Sequence, residues 1–123
     1  MALQESGEMY LETILILSQK DEPVRSLDIA NYMGYSKTSI SRAMGILKSE
    51  EYIEIDGNGY ITLTDKGMDK AKNVYERHVV ISNILISMGV DKKTAEADAC
   101  RIEHVISEKT FKALKKYNKG LNK

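Results

Sequence analysis

Residues 26–64, SLDIANYMGYSKTSISRAMGILKSEEYIEIDGNGYITLT, decide the fold. Ser26 opens a short amphipathic segment, and Gly34 stands where a helix ends on a left-handed residue. Only Tyr35 separates that glycine from Ser36, a second capping residue. Beyond it Ile40, Ala43, Met44 and Leu47 recur at helical spacing through residues 37–50. Helix, tight glycine-containing turn and helix is the helix-turn-helix arrangement. The period then drops from that of a helix to that of a strand. Tyr52, Ile53 and Ile55 are matched by Tyr60, Ile61 and Leu63 across Asp56, Gly57, Asn58 and Gly59, which predicts a β-hairpin. A hairpin directly after a helix-turn-helix is a wing.

Working outward, Met9, Leu11, Ile14, Leu15 and Leu17 place a first helix over residues 5–19, with Ser6 as its cap, before Pro23 breaks the pattern. On the other side Thr64 caps a long helix running to Met88 and stopped by Gly89, with Val74, His78, Ile81, Leu85 and Met88 as its stripe. Asp91 caps a helix over residues 92–106, and Ser107 starts a last one that frays into KKYNKGLNK. The expected fold is mainly α. A winged helix-turn-helix of three helices plus a β-hairpin wing occupies residues 1–72, and an all-helical dimerisation domain occupies residues 73–123. Two modules this small have thin cores, and sharing apolar surface between subunits relieves that, so a homodimer is expected.

The 18 basic and 18 acidic side chains of the 123-residue chain cancel. That argues against a constitutive, non-specific DNA binder. It suits a protein with a locally basic face and carboxylates elsewhere that await a cation. The single cysteine, Cys100, excludes an internal disulfide and fits a reducing cytosol. The apolar run from Ile14 to Leu17 is too short to span a bilayer and follows no basic leader. A cytoplasmic protein is expected, with no membrane and no further protein partner implied.

In a helix-turn-helix the first turns of the second helix enter the major groove. Those turns carry Ser36, Lys37, Thr38, Ser39, Ser41 and Arg42. Hydroxyls mostly reach phosphates, whereas Lys37 and Arg42 are suited to reading base edges. Arg25 and Ser26 are expected phosphate contacts, and Asn58 at the wing tip is expected to follow the backbone of double-stranded DNA. Taken alone, SKTS reads first as a helix cap with solvated neighbours; the short helix before it and the wing after it favour DNA.

Cys100, Glu103 and His104 stand at i, i+3 and i+4, one face of a helix, and Glu96 extends that face by a turn. Thiolate, carboxylate and imidazole make a mixed donor set for a divalent transition metal. Ala97, Ala99 and Ile102 keep the surroundings small or apolar. His78 is the only other histidine, and Met9 and Glu12 sit at i and i+3 on the first helix. A lone histidine on an apolar stripe also serves as core, and a lone methionine usually does. Spacing by itself leaves ligand and packing readings side by side.

The chain resembles the diphtheria toxin repressor family, which contains iron- and manganese-responsive repressors. The resemblance runs through EMYLETI (residues 8–14), DIANYMGYSKTSISRAMGILKSEEYI (28–53), GYITLTDKG (59–67), VYERH (74–78) and ACRIEH (99–104). It resembles the short two-domain members, which lack an SH3-like domain. It implies a regulatory metal site built from Met9, Cys100, Glu103 and His104. It also implies an ancillary site at His78 and Glu96, altered because Ser82 stands where the family carries an acid. The manganese-responsive branch has acids at the positions of Met9 and Cys100 and another at that of Glu12. The softer donors here favour Fe(II), with Mn(II) next; Zn(II), Co(II) and Ni(II) are expected to bind in vitro. The function implied is a metal-dependent repressor that binds a palindromic operator as a homodimer and controls metal homeostasis genes. Its rivals are a metal-independent winged-helix regulator sensing a small molecule and a metal-dependent hydrolase. No Gly-rich phosphate loop or nucleophile elbow supports an enzyme.

Overall fold

The computed structural model describes residues 5–121, with side chains from Gly7 onward, so the Ser6 cap lies outside the described side chains. The order is α1 (Glu5–Ser18), α2 (Ser26–Met33), α3 (Lys37–Ser49), β1 (Ile53–Ile55), β2 (Ile61–Leu63), α4 (Asp65–Ser87), α5 (Lys92–Ile102) and α6 (Glu108–Leu121). The chain divides into two compact units, Met1–Lys72 and Asn73–Lys123. The fold is mainly α, with the hairpin following three helices. Among the described residues no helix is long and apolar enough to cross a membrane.

In the first unit, one face of each helix meets the hairpin in a single core. Leu11 and Ile14 of α1, Ile29 of α2, Ile40, Met44 and Leu47 of α3, Ile53 and Ile61 of the strands and Ala71 of α4 are all buried. Full burial of such a branched side chain stabilises by about 1.5–3 kcal/mol. Ala43, expected on the inner face of α3, is half-buried at its rim.

The caps explain the boundaries. Ser36 Oγ accepts the Ser39 N–H at 3.1 Å and starts α3. At α2 it is Arg25, not Ser26, that takes the cap position, and Asp28 accepts the Arg25 N–H at 2.9 Å. Gly34, at φ 73°, closes α2 as the Tyr35 N–H returns to Ala30 O, the left-handed ending foreseen for it. α3 closes in the same manner without a glycine. The Tyr52 N–H reaches Leu47 O and the Glu51 N–H reaches Lys48 O, both 3.0 Å, with Glu51 at φ 67°. A side chain in that region carries strain of order 1 kcal/mol.

The strands pair antiparallel, Ile53 with Leu63 and Ile55 with Ile61; Tyr52 and Tyr60 lie just outside them. Asp56 Oδ1 accepts the N–H groups of Asn58 (2.8 Å) and Tyr60 (3.0 Å), which fixes the turn. On its other side β2 meets Val24, whose carbonyl accepts the Ile61 N–H at 2.7 Å. The hairpin root is locked to the start of α4. Tyr52 O accepts the Thr64 N–H at 3.1 Å, Lys66 Nζ reaches Glu50 O at 2.9 Å, and Gly67 lies so close to the Tyr52 carbonyl that a Cβ there would overlap it. Thr64 caps α4 by accepting the Gly67 N–H at 3.1 Å.

In the second unit Val80, Ile84 and Phe111 form a core with Ile106 and Leu114 beside it. Three expectations are corrected here. α4 stops at Ser87, where Gly89 turns the chain and the Val90 N–H returns to Leu85 O; Met88, counted in the stripe, is 70% exposed. α5 is capped by Asp91 as expected but ends at Ile102, not 106. In the turn beyond it, the Glu103 and Ile106 carbonyls accept from the Arg77 guanidinium of α4. Among the described residues α6 stays helical to Leu121, where fraying was expected from Lys115: buried Phe111 and Asn118 with half-buried Leu114 form a helical stripe, and Lys115 pairs with Glu76 at 3.0 Å.

Candidate metal centre and DNA-facing helix

The buried face of α5 is a row of small residues, Ala95 and Ala99, and the next step along that row is Glu103. Burial of the carboxylate follows from its position at the end of an alanine stripe. Ala97, expected to line the site, is exposed instead. Cys100 occupies the last turn of α5. Glu103 and His104 lie in the turn beyond it, not in the helix proper. Glu103 keeps φ −58° and ψ −25° and its N–H still bonds Ala99 O, so the winding persists and the i, i+3, i+4 arrangement survives.

One ligand atom from each of Cys100, Glu103 and His104 lies within 4.8 Å of the others. Glu103 Oε1 is 3.2 Å from His104 Nε2, and neither side chain is exposed. Glu103 Oε2 is 2.9 Å from Nδ1 of His78, on α4. Burial pushes the Glu103 carboxyl up, but the His104 and His78 rings outweigh it and leave the group below the ordinary glutamate range. A carboxylate held ionised between two imidazoles beside a thiol is a donor set suited to a divalent ion.

His78, assigned to a separate ancillary position by resemblance, therefore touches the same carboxylate as His104. Glu96 is exposed on α5, outside that group. Ser82 is buried on α4, and its hydroxyl makes no hydrogen bond. Met9 and Glu12 are half-buried on α1, where Met9 O accepts from Thr13 Oγ1 at 2.9 Å. Sequence reasoning missed Arg77, whose guanidinium bonds Glu103 O and Ile106 O; its adjacency to His78 within VYERH was the available signal.

In the first unit, Lys37, Thr38, Ser39, Ser41 and Arg42 all stand exposed on the opening turns of α3. The hydroxyls of Ser36 and Ser39 are tied to each other at 2.9 Å, which commits Ser36 to the cap. Arg25 is exposed but already engaged. Its guanidinium lies 4.8 Å from the Tyr60 ring centre and donates to Tyr60 Oη at 3.1 Å. Ser26 is half-buried beside it, and Asn58 is exposed at the hairpin tip.

Family models agree with both halves. Residues 2–60 match the N-terminal DNA-binding domain of the iron-dependent repressors, and residues 64–123 match their metal-binding and dimerisation domain. The chain is 30% identical over 115 residues to an uncharacterized HTH-type transcriptional regulator of Methanocaldococcus jannaschii, covering 92% of each. It is 30% identical over 107 residues to the iron-dependent repressor IdeR of Mycobacterium leprae, covering 86% of this chain and 46% of that one. Among solved structures, the manganese regulator SloR superposes with a TM-score of 0.81 at 27% identity, covering 95% of this chain and 54% of the other. The chain thus spans about half the length of IdeR and SloR. It belongs to the iron-dependent repressor family, the diphtheria toxin repressor group whose motifs it resembles. These are DNA-binding transcriptional repressors and not enzymes, so the hydrolase alternative falls away.

Proposed function

We propose that the protein is a cytoplasmic homodimer that binds a palindromic operator when Fe(II), or next Mn(II), is held by Cys100, Glu103 and His104 with Met9 as a further donor. On this reading it controls metal homeostasis genes. The observation that carries it is the thiol, carboxylate and imidazole gathered at the end of α5. A thiol and a thioether are soft donors and favour iron over manganese. Glu12, His78 and Glu96 are further candidate donors, of which His78 has the strongest support through its 2.9 Å contact with Glu103.

DNA reading falls to Lys37 and Arg42 at base edges. Thr38, Ser39, Ser41, Ser26 and Asn58 contact phosphates, with Ser36 and Arg25 setting helix ends. Family membership supports this, together with the exposure of the opening turns of α3. When bound, the ion supplies positive charge among carboxylates and favours one arrangement of the protein through its differential affinity. The test is anaerobic titration of Fe(II) and Mn(II) against operator binding, with a chelator control. Iron should restore binding at the lower concentration. Operator binding unaffected by the chelator would instead favour a metal-independent regulator.

A further inference from the structure

The turn that ends α5 carries two of the three clustered donors, and one side chain of α4 holds its main chain. Arg77 donates through Nη1 to the carbonyls of Glu103 (3.2 Å) and Ile106 (3.1 Å), and through Nη2 to Glu108 Oε2 (2.8 Å). Its guanidinium carbon lies 5.2 Å from the centre of the Phe111 ring, and the side chain is 14% exposed. The carbonyls it takes belong to the end of a helix and the turn after it, where no intrahelical amide is available. The fork of a guanidinium can satisfy two carbonyls and a carboxylate together. The next residue, His78, takes the Glu103 carboxylate. Main chain and side chain of Glu103 are thus gripped by neighbouring residues of one helix.

We propose that Arg77 is the positioning residue of the metal centre, holding residues 103–106 in the wound turn that keeps the Glu103 carboxylate and the His104 ring beside Cys100 before an ion arrives. The inference rests on the metal-site reading above. A prearranged donor set binds without first ordering its own backbone, whereas a loose turn must be ordered on binding, and that cost subtracts from affinity. Lysine supplies one point charge in place of a fork, so it replaces part of the grip.

The probe is Co(II), whose thiolate charge-transfer and ligand-field absorption report the donor set. It is titrated under nitrogen into the full-length parent, Arg77→Met, Arg77→Lys and Glu108→Gln, each well below its melting transition. Arg77→Met should bind about 10- to 100-fold more weakly, the range seen when groups supporting metal ligands are removed. Its saturated spectrum should match the parent's, because no donor is gone. Arg77→Lys should fall between the two. Glu108→Gln alters a group that is 56% exposed and should weaken binding by about 2- to 5-fold, the scale of an exposed ion pair. A purely structural role would lower the melting temperature of metal-free Arg77→Met and leave its Co(II) affinity at the parent value, which overturns the proposal. If Arg77→Met does not fold, parent-like affinity in both Arg77→Lys and Glu108→Gln overturns it instead. Failure of the metal-site reading is separately visible, as a parent without a charge-transfer band or a Cys100→Ala variant that retains one.

Discussion

Replacing Gly67 by alanine should destabilise the protein, although the same exchange within a helix ordinarily stabilises. Gly67 lies in the first turn of α4, and alanine is the better helix former by about 1 kcal/mol. A Cβ at this position would run into the carbonyl of Tyr52, with the Leu63 side chain 3.3 Å away. The obstacle is backbone, so relief requires displacing the segment that joins α3 to β1. Overpacking of this kind costs about 1–3 kcal/mol. Moving Tyr52 O also weakens its bond to the Thr64 N–H, worth about 1 kcal/mol. The steric cost wins, and a net loss of about 1–3 kcal/mol is expected. Gly45, within α3, has nothing but its chain neighbours and its own helix backbone within 4 Å of where its Cβ would stand. Gly45→Ala should therefore gain about 0.5–1 kcal/mol. Urea unfolding of the metal-free proteins, with slopes compared to confirm an unchanged unfolding reaction, measures both. If Gly67→Ala proves as stable as Gly45→Ala, the close approach of Tyr52 to α4 is wrong.

Cys100→Ala and His104→Ala should remain folded dimers by sedimentation while losing metal-dependent operator binding; full metal-dependent binding in either removes that residue from the site. Arg42→Ala should weaken specific binding by about 1–3 kcal/mol at saturating metal and fixed salt, read by fluorescence anisotropy against operator and scrambled duplex, and equal affinity would exclude base reading. Glu51→Gly should raise stability by about 1 kcal/mol by relieving the φ of 67°, again by urea unfolding. Glu103 titrates below its ordinary value of 4.5, so its stabilising contribution is complete above that pH and is lost as acid carries the solution down through the lower, folded value. Glu103→Gln should flatten that acidic limb of metal-free stability, and an unaltered limb would show that the carboxylate is not held ionised by its neighbours.

Elements whose ends are set by local chemistry were legible from the sequence. Ser36, Gly34, Asp91 and the Asp56–Gly59 turn each act within a few residues of their own position, and the contacts they make are those that capping and turn rules anticipate. The hold on the turn after α5 was not legible, because its carbonyls are bonded by Arg77, which is 26 residues from Glu103 in sequence. The glutamate in the left-handed ending of α3 was equally invisible, since its energetic penalty is offset by tertiary burial of Leu47, Tyr52 and Ile53 around it. At the candidate centre, helical spacing put Cys100, Glu103 and His104 on one face, and only the resemblance made them a ligand set. The approach of His78 to the same carboxylate needed α4 and α5 to be packed.

The pairing of β2 with β1 on one flank and with Val24 on the other leaves β1 as the outer strand of the wing. An open strand edge offers amide and carbonyl groups to any extended peptide that drifts alongside, and long neutral edges recruit such visitors. This one is three residues long and bears exposed Glu54 at its middle. Brevity and charge together make it a poor template for strand addition. Molecules crowded on neighbouring stretches of duplex can then sit flank to flank without their wings knitting into a shared sheet.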